Sequence, residues 1–237
     1  AELTDYIQCN GGVKQGDVCS PILFSLFINE LAQDIIASGK HGGILAPELI
    51  ELFILLFADD IVLISETPIG LQHQIDTLYH SSQRLQLKVN MDKSKVIVFR
   101  KGGHLAAREK WFYGNVEMKV VNSYKYLGLY FSTKLCFTGA LNDLVTRAKR
   151  ACISILSTLN RLDCHSFDVF IKLFDAQVAS IMYYGSEVWG IRNECSLVEK
   201  VHTFALKRYL KVDQGTPNDF IYGETGRYSL TISCCIR

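Results

Sequence analysis

Long apolar runs are missing from this 237-residue sequence, and no stretch approaches the roughly 20 residues that a membrane-spanning helix needs. The acidic residues Glu2 and Asp5 interrupt the amino-terminal segment, so we expect no secretory signal peptide. Internal repeats and low-complexity tracts are also missing. Since 49% of the residues are hydrophobic and 21% are charged, we expect a folded protein with one large domain or two smaller ones.

Paired cysteine motifs are missing as well. The eight cysteines form no C-x-x-C pair and show no spacing with histidine that is typical of a zinc site. They are Cys9, Cys19, Cys136, Cys152, Cys164, Cys195, Cys234 and Cys235. This usage predicts reduced thiols in an intracellular protein.

The sequence has no large excess of charge of either sign. Its net charge is +1, but the distribution is uneven. Residues 84–110 hold eight Lys or Arg against two acidic residues, and a window without acid, residues 144–161, holds Arg147, Lys149, Arg150 and Arg161. Such clusters are typical of a solvated surface or of a nucleic-acid contact, and charge alone does not separate the two.

Two adjacent carboxylates, Asp59 and Asp60, stand between two short apolar runs in residues 52–64. Runs of this length and composition predict buried strands, with the Asp pair at the tip of a hairpin. Adjacent carboxylates repel each other, so a cation is expected to compensate them, and oxygen ligands of this kind suit Mg²⁺. The alternative is that Asp serves here only as a common turn residue, although Asp-Asp is a poor two-residue hairpin turn.

A glycine-rich loop, residues 9–17, precedes a predicted helix over residues 21–37, with Ser20 as N-cap and Pro21 at the first position. Such a loop is either a cradle for phosphate or a plain connection. The side chains expected to face the core are Ile22, Leu23, Leu26, Phe27, Leu31 and Ile35.

Strands, turns and two helices are predicted before Ser132, and helices alone after it. We expect a helix over residues 68–86, with Thr67 as its N-cap and Pro68 at its first position. Its apolar residues Ile75, Leu78, Tyr79 and Leu85 are expected on one face. The strands are expected at residues 1–8, 87–90, 96–99, 111–113, 116–121 and 124–131, with turns at 39–47 and at Gly114-Asn115. The later helices are expected at residues 138–160, 166–184 and 194–212, with a boundary at 132–137, and the stretch from Gln214 carries Gly, Pro and Asn.

Four motifs resemble, in order and spacing, motifs B, C, D and E of reverse transcriptases. They are Gly12-Val-Lys-Gln-Gly-Asp-x-x-Ser-Pro-x-Leu-Phe24, Phe57-Ala-Asp-Asp60, Leu87-x-Val-Asn-x-x-Lys-Ser-Lys95 and Tyr126-Leu-Gly128. The Phe-Ala-Asp-Asp form, the Ser-Pro helix start and Tyr184-Gly-Ser-Glu-Val-Trp189 resemble in particular the non-long-terminal-repeat, LINE-type retrotransposon enzymes.

The resemblance implies an α+β fold, with a partial polymerase palm built on an antiparallel catalytic hairpin and followed by a mainly helical thumb. It divides the chain into a palm (residues 1–103), a primer-grip-like hairpin (104–137) and a thumb with a connector (138–237). The implied activity is RNA-directed DNA polymerisation by two-metal phosphoryl transfer, with Mg²⁺ or Mn²⁺ as cofactor. The implied partners are an RNA template, a DNA primer and deoxynucleoside triphosphates. The implied location of the protein is the nucleus, the cytoplasm or both.

The resemblance also assigns roles to residues. Asp59 is implied as the principal metal ligand and Asp60 as a secondary one, while Lys93 or Lys95 supplies charge or a proton to the pyrophosphate unless these lysines only form a solvated turn. The residues implied to contact the incoming nucleotide are Gln15, Gly16, Phe57 and Ala58, and those implied to contact the primer are Tyr126, Leu127 and Gly128. The residues implied to contact nucleic-acid phosphates are Lys14, Arg147, Lys149 and Arg150. We expect Tyr183, Tyr184 and Trp189 to belong to the core and not to stack on bases.

Two departures from the family pattern matter. Gln86 stands where the family usually has Gly before the Leu-x-Val-Asn element. The strand with the remaining catalytic Asp, motif A, is not found before the glycine loop, so we expect this chain by itself to be catalytically incomplete. A non-catalytic nucleic-acid-binding or scaffold protein derived from a reverse transcriptase is the alternative, and a relic without function is a third hypothesis.

Overall fold

The computed structural model describes residues 12–38, 43–45, 50–100, 102–103, 106, 109–190 and 196–230. The chain forms two compact units. The first unit comprises residues 1–96 and 103–121, and the second comprises residues 97–102 and 122–237. Helices combine with antiparallel two-stranded hairpins in the described residues, which confirms the predicted α+β class. The division into palm, primer grip and thumb stays a prediction.

Two helices form the framework of the first unit. They are α1 (Ser20–Ser38) and α2 (Pro68–Arg84), which pack against each other. The pair is tied by Asp34, whose carboxylate accepts hydrogen bonds from Ser81 Oγ (2.6 Å) and Arg84 Nη2 (2.6 Å). Both hydrogen bonds lower the pKa of Asp34, and the bond from Ser81 has the larger effect. Glu30 forms a further ion pair with Arg84.

The strands of the first unit are short hairpin strands. They are β1 (Gly43–Leu45) with β2 (Ile50–Leu52), β3 (Ile54–Phe57) with β4 (Asp60–Leu63), and β5 (Phe112–Tyr113) with β6 (Val116–Glu117). Gln72 of α2 bonds the backbone N and O of Phe112 (2.9 and 2.8 Å), and Trp111 Nε1 donates to the Pro68 carbonyl (3.0 Å). The predicted turn at Gly114-Asn115 joins β5 to β6 and is confirmed.

A helical core defines the second unit. After the hairpin β7 (Ser123–Tyr126) and β8 (Leu129–Ser132) come α3 (Thr138–Arg161), α4 (Phe167–Leu173), a π-helical segment (Phe174–Ala179), α5 (Ser180–Tyr183), α6 (Ser186–Trp189), α7 (Ser196–Leu210) and α8 (Asn218–Thr225). Leu144, Phe170, Phe174, Trp189 and Val201 are fully buried in its core. No helix in the described part of the chain has the length and apolar character that crossing a membrane requires.

The predicted apolar face of α1 is wrong in its first half. Ile22, Leu23, Leu26 and Phe27 are 41–68% exposed, whereas Leu31 and Ile35 are buried as expected. The 3.6-residue period shows which side of a helix is apolar, but it does not show which turns have a packing partner. Ser20 is the first helical residue and not the N-cap, because its hydroxyl donates to the Lys14 carbonyl (2.6 Å).

Several strand predictions are also wrong. Residues 87–90 and 96–99 form no strands, and Val96 makes only an isolated parallel bridge to Val120. Residues 124–131 form a hairpin, β7–β8, and not one strand. Helix α8 was not predicted. The strand predicted at residues 1–8 and the helix start predicted at residues 194–195 lie outside the described residues, as does most of the turn predicted at residues 39–47.

The end of α2 explains the departure at Gln86. The Leu87 amide donates to the Ser82 carbonyl (2.8 Å) and the Gln86 amide to the Gln83 carbonyl (3.2 Å). This is the Schellman pattern, in which the residue after the C-cap is left-handed and usually Gly. Gln86 adopts φ +55° there, and Asp163 and Lys211 hold the same position after α3 and α7. The turn therefore forms without Gly, at the cost of strain.

We expect Gln86→Gly to raise the free energy of unfolding of the first unit by about 0.5–1 kcal/mol. Relief of the left-handed strain, roughly 1–2 kcal/mol, outweighs the entropy cost of Gly, roughly 0.5–1 kcal/mol. Urea denaturation followed by circular dichroism measures the change. Gln83→Gly is the matched control, because Gln83 is exposed in the last helical turn and the same change there is expected to destabilise. Equal destabilisation by both variants would contradict the strain argument.

Candidate functional site

The hairpin β3–β4 carries the two carboxylates in different positions. Phe57 pairs with Asp60, so the two-residue turn is Ala58-Asp59 and Asp60 is the first residue of β4. The prediction that Asp59 and Asp60 together form the tip is therefore wrong by one residue, because Ala58 and not Asp60 is the other residue of the turn. Ala58 adopts φ +50°, a left-handed conformation that costs a residue with a Cβ roughly 1–2 kcal/mol. Strain of this kind is concentrated at functional turns.

One face of this hairpin is open to solvent. Cross-strand partners share a face, so Leu55 and Phe57 lie on the same side as Val62 and Asp60. Leu55 is 41% exposed and Phe57 60% exposed. The prediction of fully buried strands is thus wrong for this face. An exposed aromatic beside a carboxylate is a surface that a planar, charged ligand could contact.

Asp59 and Asp60 are both exposed, and within the described residues neither carboxylate makes a hydrogen bond or an ion pair. No group of three or more His, Cys, Asp or Glu side chains that could hold a metal occurs in the described ranges. Two exposed carboxylates with no partner among the described residues fit Mg²⁺, which takes one or two carboxylates and fills its other positions with water and substrate phosphates.

The described part of the loop before α1, residues 12–17, is exposed to solvent. Lys14, Gln15 and Gly16 are exposed, and Gly16 adopts φ +86° with open space around it. The Asp17 carboxylate accepts from the Cys19 amide (2.7 Å), and the Asp17 amide donates to the Lys14 carbonyl (3.3 Å). These bonds fold the loop back onto the start of α1, which leaves Lys14 and Gln15 available for a ligand.

The basic turn at residues 90–94 is organised by Asn90. Its side-chain oxygen accepts hydrogen bonds from the amides of Asp92 (3.1 Å) and Lys93 (3.2 Å). Lys93 is exposed, whereas Lys95 is half-buried and its Nζ donates to the Met91 carbonyl (3.3 Å). Asn90 is a positioning residue that the sequence analysis did not select, although an Asn at the start of a turn is a recognisable signal.

The cations of α3 differ in their availability. Arg147 Nε lies 3.2 Å from the Asp143 carboxylate, which Lys125 also approaches at 3.6 Å. Asp143 lies one residue before the window without acid. Lys149 Nζ lies 5.4 Å from the centre of the Phe204 ring, a cation–π contact. Of the three cations on α3 that are predicted to contact phosphates, Arg150 is exposed, whereas Arg147 and Lys149 are half-buried.

The β7–β8 turn of the second unit has two left-handed residues, Leu127 at φ +46° and Gly128 at φ +84°. Positive φ at both central positions is the feature of a type I′ hairpin turn. Tyr126 and Leu129 close the hairpin as cross-strand partners. The three residues of the fourth motif are thus brought together in one turn. Trp189 is fully buried, as expected, whereas Tyr184 is 47% exposed.

A family model described as reverse transcriptase (RNA-dependent DNA polymerase) matches residues 2–131. The chain belongs to the reverse transcriptase family. The matched range contains the Asp59 hairpin, the loop before α1 and most of the β7–β8 hairpin, while α3 and all later helices of the reverse transcriptase chain lie beyond it. No curated protein matches this chain significantly.

Proposed function

We propose that this chain is the palm and thumb part of a LINE-type retrotransposon reverse transcriptase, and that it extends a DNA primer on an RNA template within the complete enzyme. The observation that carries the proposal is the exposed Asp59-Asp60 pair on the Phe57–Asp60 hairpin, which has no partner among the described residues, in a chain of this family. The LINE assignment rests on the Phe-Ala-Asp-Asp form and on the 184–189 segment.

The carboxylates hold the divalent cation in this proposal. Asp59, in the turn, has the greater freedom to reach a bound ion and is the principal ligand, while Asp60 at the start of β4 contributes a second oxygen or negative charge. Mg²⁺, when bound, favours ionisation of the primer 3′-hydroxyl and offsets the charge of the triphosphate. Ala58 precedes both carboxylates, and its left-handed backbone sets the direction in which the chain continues through Asp59 to Asp60.

The remaining side chains bind and orient the substrates. Phe57, exposed on the Asp60 face, packs against the nascent base pair, and Gln15 with Gly16 approaches the incoming nucleotide. Lys93, exposed on the Asn90 turn, places positive charge near the departing pyrophosphate. Lys14 and Arg150 contact backbone phosphates, which gives affinity that falls with salt concentration.

Two-metal transfer uses carboxylates from two separate parts of the palm, and Asp59 and Asp60 of the β3–β4 hairpin form one of these two parts. We therefore expect primer extension from the product of the complete reading frame that contains this chain, and none from the 237-residue chain by itself. The test is extension of a labelled DNA primer on an RNA template with deoxynucleoside triphosphates and Mg²⁺, for both proteins.

Three outcomes separate the hypotheses. Extension by the 237-residue chain would contradict the expected incompleteness. Failure of the complete product to extend, combined with salt-dependent binding of the primer–template, would favour the non-catalytic binding protein. Failure both to extend and to bind at low salt would contradict the polymerase and binding proposals together.

A further inference from the structure

The turn between β7 and β8 is held by a side chain from elsewhere in the second unit. The Tyr184 hydroxyl donates a hydrogen bond to the Leu127 carbonyl oxygen. Its ring covers Gly128 so closely that a Cβ at Gly128 would lie 3.1 Å from Tyr184 Cε1. Both central residues of the turn are therefore contacted by one tyrosine that lies between α5 and α6.

The backbone of Tyr184 is itself fixed on both sides. Its amide donates to the Ile181 carbonyl (3.3 Å), and its carbonyl accepts from the indole Nε1 of Trp189 (3.0 Å), which is fully buried. Gly185 follows with φ +69° and lies against Leu129 of β8. The phenol is thus presented to the hairpin from a segment anchored in the core.

The turn needs such support because of its own sequence. Type I′ turns favour Asn-Gly or Gly-Gly, since both central residues have positive φ. Leu127 at φ +46° is a poor residue for this position. The bond from Tyr184 ends on the carbonyl of that strained residue, so it stabilises the conformation that Leu127 disfavours.

We propose that Tyr184 is a positioning residue for the primer: it holds the Leu127-Gly128 turn in the shape that grips the paired 3′ end of the DNA strand. This inference rests on the proposed function, which assigns the turn to the primer backbone. The chemistry recognised is the sugar-phosphate backbone of a recessed DNA end on an RNA template. Tyr184 acts through Leu127 and Gly128 and not through direct contact with the reacting atoms.

The first measurement concerns the turn alone. In the 237-residue chain, Tyr184→Phe removes the hydroxyl and keeps the ring, and amide hydrogen exchange at residues 127–129 is expected to rise about fivefold, the effect of losing one hydrogen bond. Tyr228→Phe is the matched control, because Tyr228 is 83% exposed and makes no hydrogen bond within the described residues. The control is expected to leave exchange at the turn unchanged.

The second measurement concerns nucleic acid. The affinity of the 237-residue chain is measured for two ligands. One is the junction formed by a recessed DNA primer on an RNA template, and the other is the same RNA as a single strand. Tyr184→Phe is expected to weaken junction binding about three- to tenfold, in line with a lost hydrogen bond, and to leave single-strand binding and the thermal midpoint near the wild-type values. A merely structural role would not change the ratio of the two affinities.

The outcomes test three claims separately: that Tyr184 holds the turn, that the turn binds the primer, and that the chain has the proposed function. Unchanged exchange at residues 127–129 in Tyr184→Phe would show that Tyr184 does not hold the turn and would overturn the inference. Faster exchange with unchanged junction affinity would overturn the primer role. A wild-type chain that binds the junction no better than single-stranded RNA would contradict the proposed function itself, and that result is visible without any variant.

Discussion

Gly185→Ala is expected to lower the free energy of unfolding of the second unit by about 3 kcal/mol. The residue adopts φ +69°, where a side chain costs roughly 1–2 kcal/mol. A Cβ would also overlap Leu129 Cδ1 and stand 3.2 Å from Leu129 Cγ. Leu129 is 7% exposed and cannot move without disturbing its neighbours, which adds the roughly 1–3 kcal/mol typical of overpacking.

Urea denaturation followed by circular dichroism measures this effect, because the described part of the second unit is mainly helical. Gly223→Ala is the matched control in the same unit, since a Cβ at Gly223 of α8 meets no atom within 4 Å. That change is expected to stabilise by about 0.5–1 kcal/mol because Ala favours helix. A Gly185→Ala variant as stable as wild type would show that the contact between Gly185 and Leu129 is not required.

The regular elements were the most predictable from sequence. Thr67 caps α2 as expected, because its Oγ1 accepts from the Gly70 amide (3.0 Å). The helix predicted over residues 138–160 corresponds to α3 (Thr138–Arg161). Local signals such as a helix cap or a 3.6-residue apolar period depend on few distant contacts, so they can be predicted from the sequence.

Features that depend on distant partners were not predictable. The burial of Ile28 and Ala32 in place of Ile22 and Leu26 follows from where α1 meets α2. The type I′ turn at Leu127-Gly128 was hidden because Leu is not a turn residue, and Tyr184, 57 residues later, supports it. The pairing of Arg147 with Asp143 was missed because the charged window began one residue too late.

The hairpin that carries Asp59 and Asp60 was predicted from the sequence, but its geometry was predicted only in part. The Phe-Ala-Asp-Asp motif located the hairpin correctly, yet the register places Asp60 in β4 and leaves Ala58-Asp59 as the turn. A shift of one residue changes which side chain shares a face with Phe57. The sequence pattern fixed neither this register nor the left-handed conformation of Ala58, because both depend on how the two strands pair.

Asp59→Asn is expected to reduce primer extension by the complete reading-frame product by about 10³-fold or more. The amide removes one negative charge from the proposed ion site, and a metal ion contributes several kcal/mol of charge stabilisation in such reactions, with each 1.36 kcal/mol worth tenfold in rate. Asp60→Asn is expected to cost less, since Asp60 begins β4 and serves as the secondary ligand. The exposed Asp219 of α8 provides the control, and Asp219→Asn is expected to change the rate less than twofold.

A measurement without catalysis tests the same assignment in the 237-residue chain. Mn²⁺ added to the wild type is expected to broaden the amide signals of residues 58–61 in NMR spectra, because Asp59 and Asp60 are exposed and unpartnered in the described part of the chain. Asp59→Asn is expected to abolish this local broadening, and Asp219→Asn to preserve it. Broadening that persists in Asp59→Asn would place the ion on other ligands, and the hairpin would then lose its assigned role even if the complete enzyme proves active.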